Sequence, residues 1–208
     1  MKEIVIGISM RMTNAAGYDE LRDTIACDWG LYLQNNFPEA KWLYLPNLEK
    51  DIIPYMQKWR VNRIILTGGD DYGVFSKRDE TEYNVFQYAR QNKLPVLGIC
   101  RGMQLVNKWL GGEISQLSKS ESKEHVATSH KVIFRDHEKM VNSYHNNVIY
   151  KPDLAKALNI LCEAPNGQGI EGVTGDNILG LMWHPERNLT APDWETKLIS
   201  NFLLNEHE

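Results

Sequence analysis

Short apolar runs alternate along this chain with stretches whose apolar positions recur every three or four residues, a pattern that predicts a largely parallel sheet covered by helices. Residues 4–8, 42–45, 63–67 and 95–99 read as the early strands. Between them, Tyr18, Leu21, Ile25, Trp29, Tyr32 and Leu33 fall at helical spacing, as do Tyr83, Phe86, Ala89 and Arg90. Further strands are predicted near 131–134, 158–163, 169–173 and 177–182. A closing helix over 192–204 opens with Pro192 in its first turn. The polar stretch 115–129 reads as a surface loop. No repeat or low-complexity linker breaks the pattern, so one domain over residues 1–208 is expected.

Composition narrows the function classes. With 208 residues, 42% apolar content and a formal charge of -4, the chain reads as soluble and globular. Its Lys and Arg are scattered, which speaks against nucleic acid or an anionic membrane as partner. Residues 4–8 are too short for a signal peptide core and read as a first strand. Three cysteines, Cys27, Cys100 and Cys162, give an odd count with no C-x-x-C pair. That usage argues against a disulfide framework and fits a reducing cytoplasm. Cys27 lies in the helical apolar stripe and Cys162 in a predicted strand, so both read as small core residues.

The chemically informative segment runs from Pro95 to Gln104: an apolar strand, then Gly98-Ile99-Cys100-Arg101-Gly102, then a helix carrying Met103, Val106 and Leu110 at core spacing until Gly111-Gly112 stops it. This is the thiol counterpart of a nucleophile elbow, in which glycines on both sides leave room for a strained strand-to-helix turn. The positive end of the helix and a nearby imidazolium stabilise a thiolate there. The amide of Arg101 is placed to meet a developing oxyanion. Thr67-Gly68-Gly69-Asp70 ends another predicted strand at the same sheet edge and offers a second donor.

A thiol nucleophile needs a base, and the base needs an acceptor that fixes its tautomer. Trp183-His184-Pro185-Glu186 supplies both at the end of the strand predicted over 177–182. In extended backbone, His184 and Glu186 project to the same side. His145 is the rival base, but it has no carboxylate two residues on.

Taken together, Gly98 to Gln104, Thr67-Gly68-Gly69, Val141-Asn142-Ser143-Tyr144-His145 and His184-Pro185-Glu186 resemble the class I glutamine amidotransferase superfamily, and within it the γ-glutamyl hydrolase branch, the C26 peptidases. The resemblance spans nearly the whole chain. It implies an α/β, flavodoxin-like three-layer sandwich with a mostly parallel central sheet. It further implies Cys100 as nucleophile, His184 as base, Glu186 as its orienting acid, and the amides of Gly69 and Arg101 as oxyanion hole. Gln104, Ser143, Tyr144 and His145 are implied to hold the glutamyl group.

A finer resemblance, carried by Gly7 to Arg11, Tyr18 to Arg22, Asp28-Trp29-Gly30 and the 141–146 segment, is to the γ-glutamyl-CDP-amidate hydrolases of bacterial capsule biosynthesis. On this reading Arg11, at the carboxyl edge of the sheet, faces the diphosphate of a nucleotide conjugate. The expected reaction is acyl transfer from a γ-glutamyl amide through a thioester, with no cofactor and no metal. His125, His130 and His137 match no zinc-ligand spacing and read as solvated histidines. Alternatives at this level are a γ-glutamyl-polyamine or γ-aminobutyrate hydrolase, a glutaminase subunit feeding ammonia to a synthetase, a peptidase or chaperone-like relative with a different base, and a catalytically silent binding module.

Overall fold

The first apolar run becomes β1, Val5–Ser9, buried at every position. A computed structural model of the chain describes residues 3–118, 126–165, 167, 169–188 and 192–204. β1 pairs in parallel with β4 (Lys41–Leu45) on one side and with β5 (Arg63–Leu66) on the other. Beyond β5 come β6 (Val96–Ile99) and β13 (Ile178–Leu181), also parallel. These five strands are the parallel half of a nine-stranded sheet. The other half is antiparallel: β12 (Ile170–Gly175), β11 (Asn159–Glu163), β8 (Val126–Phe134) and β9 (His137–Tyr144).

Side chains alternate across the parallel strands, so both faces of the sheet are apolar and each is covered by helices. On one face α2 (Ile52–Lys58), α3 (Ser76–Gln91) and α4 (Arg101–Trp109) set Ile52, Met56, Phe86, Met103 and Val106 against Ile64, Leu66, Val96 and Ile178. On the other, α1 (Asp28–Asn36) and α5 (Asp193–Leu204) set Trp29, Leu33, Ile199 and Leu203 against Ile6, Ile65, Leu97 and Leu181. Burying each large side chain contributes roughly 1.5–3 kcal/mol. The result is the expected three-layer, flavodoxin-like α/β arrangement, with the strand ends of β5, β6 and β13 adjacent along one edge.

Three sequence expectations change. The helical spacing assigned to Tyr18, Leu21 and Ile25 is a hairpin, β2 (Arg11–Asn14) with β3 (Leu21–Thr24). Gly17 turns it with φ +92°, Ala15 N–H donates to Glu20 O at 2.8 Å, and Tyr18 and Leu21 face outward, 59% and 49% exposed. The helix begins only at Asp28, and Cys27, immediately before it, is exposed rather than part of the core. The 115–129 stretch is also not all loop. β7 (Ser115–Gln116) pairs with β10 (Asn147–Val148), and β8 starts at Val126. Residues 119–125, His125 among them, lie outside the described residues. No helix among the described residues is long and apolar enough to cross a membrane.

Candidate active site

Cys100 stands between β6 and α4 with φ 51° and ψ -104°, a conformation that non-glycine residues adopt only when their surroundings enforce it. Those surroundings are tight. A Cβ on Gly98 would lie 2.7 Å from the backbone of Gly102, and one on Gly102 would lie 2.2 Å from Leu66 O. The Cys100 amide donates to Leu181 O of the neighbouring strand at 2.7 Å. The elbow is therefore braced by β5, β6 and β13 together.

His184 follows β13 and is 4% exposed. Its Nδ1 lies 2.7 Å from Glu186 Oε1, and the Cys100 side chain is near enough to act on the pKa of the ring. Burial pulls the imidazole pKa down, but the hydrogen bonds to Cys100 and Glu186 and the negative charges of both outweigh it, leaving the group raised to about 9. Pro185–Arg187 forms a single 3-10 turn that carries Glu186 round behind the ring. Gly68 gives the ring its place, since a Cβ there would stand 2.5 Å from His184 Cε1. Asn142 on β9 holds the backbone of His184 from the other side: Asn142 Nδ2 donates to His184 O at 2.7 Å, and His184 N–H donates to Asn142 Oδ1 at 2.8 Å. The Tyr144 ring stands edge-on to His184 at 5.5 Å.

The Gly68-Gly69 turn rests on a buried charged network. Arg78 Nη2 donates to Gly68 O at 2.9 Å and Thr67 O at 3.1 Å, while Ser9 Oγ accepts from Thr67 N–H at 3.0 Å. Gly69 has φ +140°, and a Cβ there would meet Arg78 Nη1 at 2.3 Å. Glu82, fully buried, accepts from Ser9, Arg78 and Arg101, and Asp79 also pairs with Arg101. Burial pushes the Glu82 carboxyl up, but Arg101 and Arg78 prevail and hold it below the usual carboxylate range. Burial likewise lowers Arg78, against the pull of Glu82.

Cys100, His184, Glu186, Gly68 and Gly69 line one cleft of about 230 Å³, together with Arg11, Trp29, Asp70, Tyr144 and Arg187. Arg11 belongs to β2, with its side chain partly exposed. One of its guanidinium nitrogens lies 3.2 Å from both oxygens of Asp70. Its buried Nε has no hydrogen-bond partner among the described residues. The Arg101 side chain is turned into the core, leaving its backbone at the start of α4.

The structure does not bring Gln104, Ser143 or His145 into this cleft. Gln104 lines a neighbouring one of about 240 Å³ with Asp71, Tyr72, Lys108, Gln116 and Asn147, and its amide donates to Met182 Sδ at 3.4 Å. Ser143 is buried, and His145 turns toward Glu171. Asn142 and Arg187 join the site although the sequence motifs assign neither of them a role. The signal for Asn142 lies in strand alternation, which puts it on the same side of β9 as Tyr144. Arg187 stacks at 4.0 Å over the Tyr144 ring.

The profile of the Peptidase C26 family matches residues 5–186. The chain belongs to that family. Peptidase C26 proteins hydrolyse amide C–N bonds, and this chain shares that reaction class. It is similar to the γ-glutamyl-CDP-amidate hydrolase of Campylobacter jejuni, with 35% identity over 88% of this chain and 90% of that one. Its fold is similar to that of a GMP synthase component from Thermoplasma acidophilum, with a TM-score of 0.67, 16% identity and coverage of 98% and 94% of the two chains. A glutamine amidotransferase from Thermotoga maritima gives a TM-score of 0.62 at 15% identity, covering 97% and 85%.

Proposed function

We propose that this C26 protein hydrolyses a γ-glutamyl amide whose leaving group is anionic, best matched by γ-glutamyl-CDP-amidate, releasing glutamate and cytidine diphosphoramidate for capsular polysaccharide modification. The observation that carries the reading is the row Glu186–His184–Cys100, in which one buried imidazole holds a carboxylate at 2.7 Å and shares its cleft with the thiol. An imidazole pKa of about 9 keeps His184 protonated at neutral pH, ready to give its proton to the leaving nitrogen. The Cys100 thiolate adds to the γ-carbonyl, and the amides of Gly69 and Arg101 receive the oxyanion. His184 gives its proton to the departing nitrogen as the C–N bond breaks and a glutamyl thioester forms. His184, now neutral, takes a proton from water, the hydroxide displaces sulfur, and glutamate leaves with the thiolate restored. Of the residues that the family resemblance implies for the glutamyl group, Tyr144 lines the cleft and is assigned to that role.

The charge of the cleft chooses among the leaving groups. Its two acids are committed, Asp70 to Arg11 and Glu186 to His184, whereas the Arg11 Nε–H and the Arg187 guanidinium remain on its walls. A cationic polyamine gains nothing there, and a diphosphate meets two guanidinium groups.

The test is glutamate release from γ-glutamyl-CDP-amidate, a γ-glutamyl polyamine and free glutamine. The nucleotide is expected to be turned over fastest, with Cys100→Ala inactive on every substrate and Arg187→Ala raising KM for the nucleotide alone. Turnover by Cys100→Ala would overturn the mechanism. A preference for the polyamine would overturn the substrate class.

A further inference from the structure

His125, His130 and His137 match no zinc-ligand spacing along the chain, yet the fold turns one of them, His130 on β8, inward. There it meets His145, just past β9, and Glu171 on β12. His130 Nε2 lies 3.3 Å from Glu171 Oε2, His145 Nε2 lies 3.6 Å from Glu171 Oε1, and one ligand atom from each residue lies within 4.8 Å of the others. The two imidazole rings stand edge to face, 6.0 Å apart. His145 and Glu171 are buried, and the His130 side chain keeps 17% of its surface open.

Two features separate this cluster from an ordinary ion pair. Its nitrogen–oxygen separations exceed the 2.7–3.2 Å common for such hydrogen bonds. Each is close to the spacing of about 3.4 Å between two atoms bound tetrahedrally at roughly 2.0–2.2 Å from one ion, with Glu171 turning one oxygen to each imidazole. The second feature is orientation. His145 Nδ1 is 2.9 Å from Asn147 O, and a carbonyl only accepts, so the proton sits on Nδ1. Nε2, the atom nearer Glu171, then carries the lone pair in the neutral ring. A backbone carbonyl on the far nitrogen is the usual outer support of a metal-binding imidazole.

We infer that His130, His145 and Glu171 form a binding site for one divalent transition-metal ion of the zinc class, with the fourth position open to water through the accessible side of His130. Two imidazoles and a carboxylate are a donor set zinc commonly takes. None of the three residues lines the Cys100 cleft, so the site is separate from the amide chemistry. It ties β8, β12 and the residue just past β9 together within the antiparallel half of the sheet, where β12 neighbours β13.

Co2+ titration of the full-length Cys100→Ala protein, stripped with chelator, is the test, because that substitution removes the catalytic thiolate as a competing ligand. One equivalent is expected to bind with visible bands typical of four-coordinate nitrogen and oxygen ligation, displaced by Zn2+. Adding His130→Ala is expected to weaken binding by more than the roughly 10- to 100-fold that losing an outer-shell partner costs. Circular dichroism checks folding, and Glu171→Gln replaces His130→Ala if the latter unfolds. Paramagnetic broadening of the His130 and His145 ring resonances by Co2+ reads the same site with no substitution in it. Absence of Co2+ binding, thiolate charge-transfer bands, equal binding by the variants, or unbroadened ring resonances would each overturn the inference.

Discussion

Asn142 closes a two-bond clamp on the backbone of His184, accepting from its N–H and donating to its carbonyl. The clamp sets where the imidazole stands before any substrate arrives. Asn142→Ala is expected to leave the fold intact and to lower kcat on the order of 100-fold, the usual effect of an ångström-scale misplacement. KM should change far less. Steady-state kinetics check this, and a KM effect alone would assign Asn142 to substrate binding instead.

Gly68 works by what it lacks. Alanine there places a carbon 2.5 Å from His184 Cε1, so the ring must swing away from Cys100. Gly68→Ala should lose activity on the order of 100-fold while unfolding near the parent temperature. Thermal unfolding measured beside glutamate release separates the two effects.

In the proposed mechanism Arg101 divides its work between backbone and side chain. The guanidinium neutralises buried Glu82 and Asp79, so Arg101→Leu leaves a carboxylate uncompensated and should cost about 3–5 kcal/mol of stability. Denaturant unfolding measures it. The Leu variant keeps an amide at position 101, so turnover per folded molecule should fall much less than in Gly68→Ala.

Two pH effects follow from the buried groups. His184 has its pKa raised from 6.5 to about 9 in the folded state, so the stability it contributes is complete below pH 6.5 and is lost as pH rises through 9. Activity should fall over the upper end of that window, which a pH–rate profile will show. Glu195 is pushed from 4.5 to about 7 by burial and by Glu186, against its hydrogen bond from Trp183. Its contribution is complete below pH 4.5 and disappears through pH 7. Glu195→Gln should therefore raise the melting temperature at pH 8 more than at pH 5.

What is legible in the sequence is whatever local spacing encodes. Gly98-Ile99-Cys100-Arg101-Gly102 and His184-Pro185-Glu186 each bring chemistry and geometry together within five residues, and both occupy one cleft. What stays hidden depends on contact between distant segments. Arg78, Asp79 and Glu82 look like the solvated face of α3, yet they are buried because Arg101, Ser9 and the Thr67 carbonyl receive them. His130 reads as solvated because its partner Glu171 lies on another strand. The β2–β3 hairpin reads as helix because its outward apolar residues fall by coincidence at helical intervals.

Cys100 follows β6 and His184 follows β13, a strand made much later in the chain that zips directly alongside β6. A nascent or truncated polypeptide lacking β13 holds the sulfur without its imidazole or the carbonyl of Leu181. The pairing of sulfur and imidazole therefore emerges only once the sheet is complete, so on the proposed mechanism an unfinished molecule carries no activated thiol.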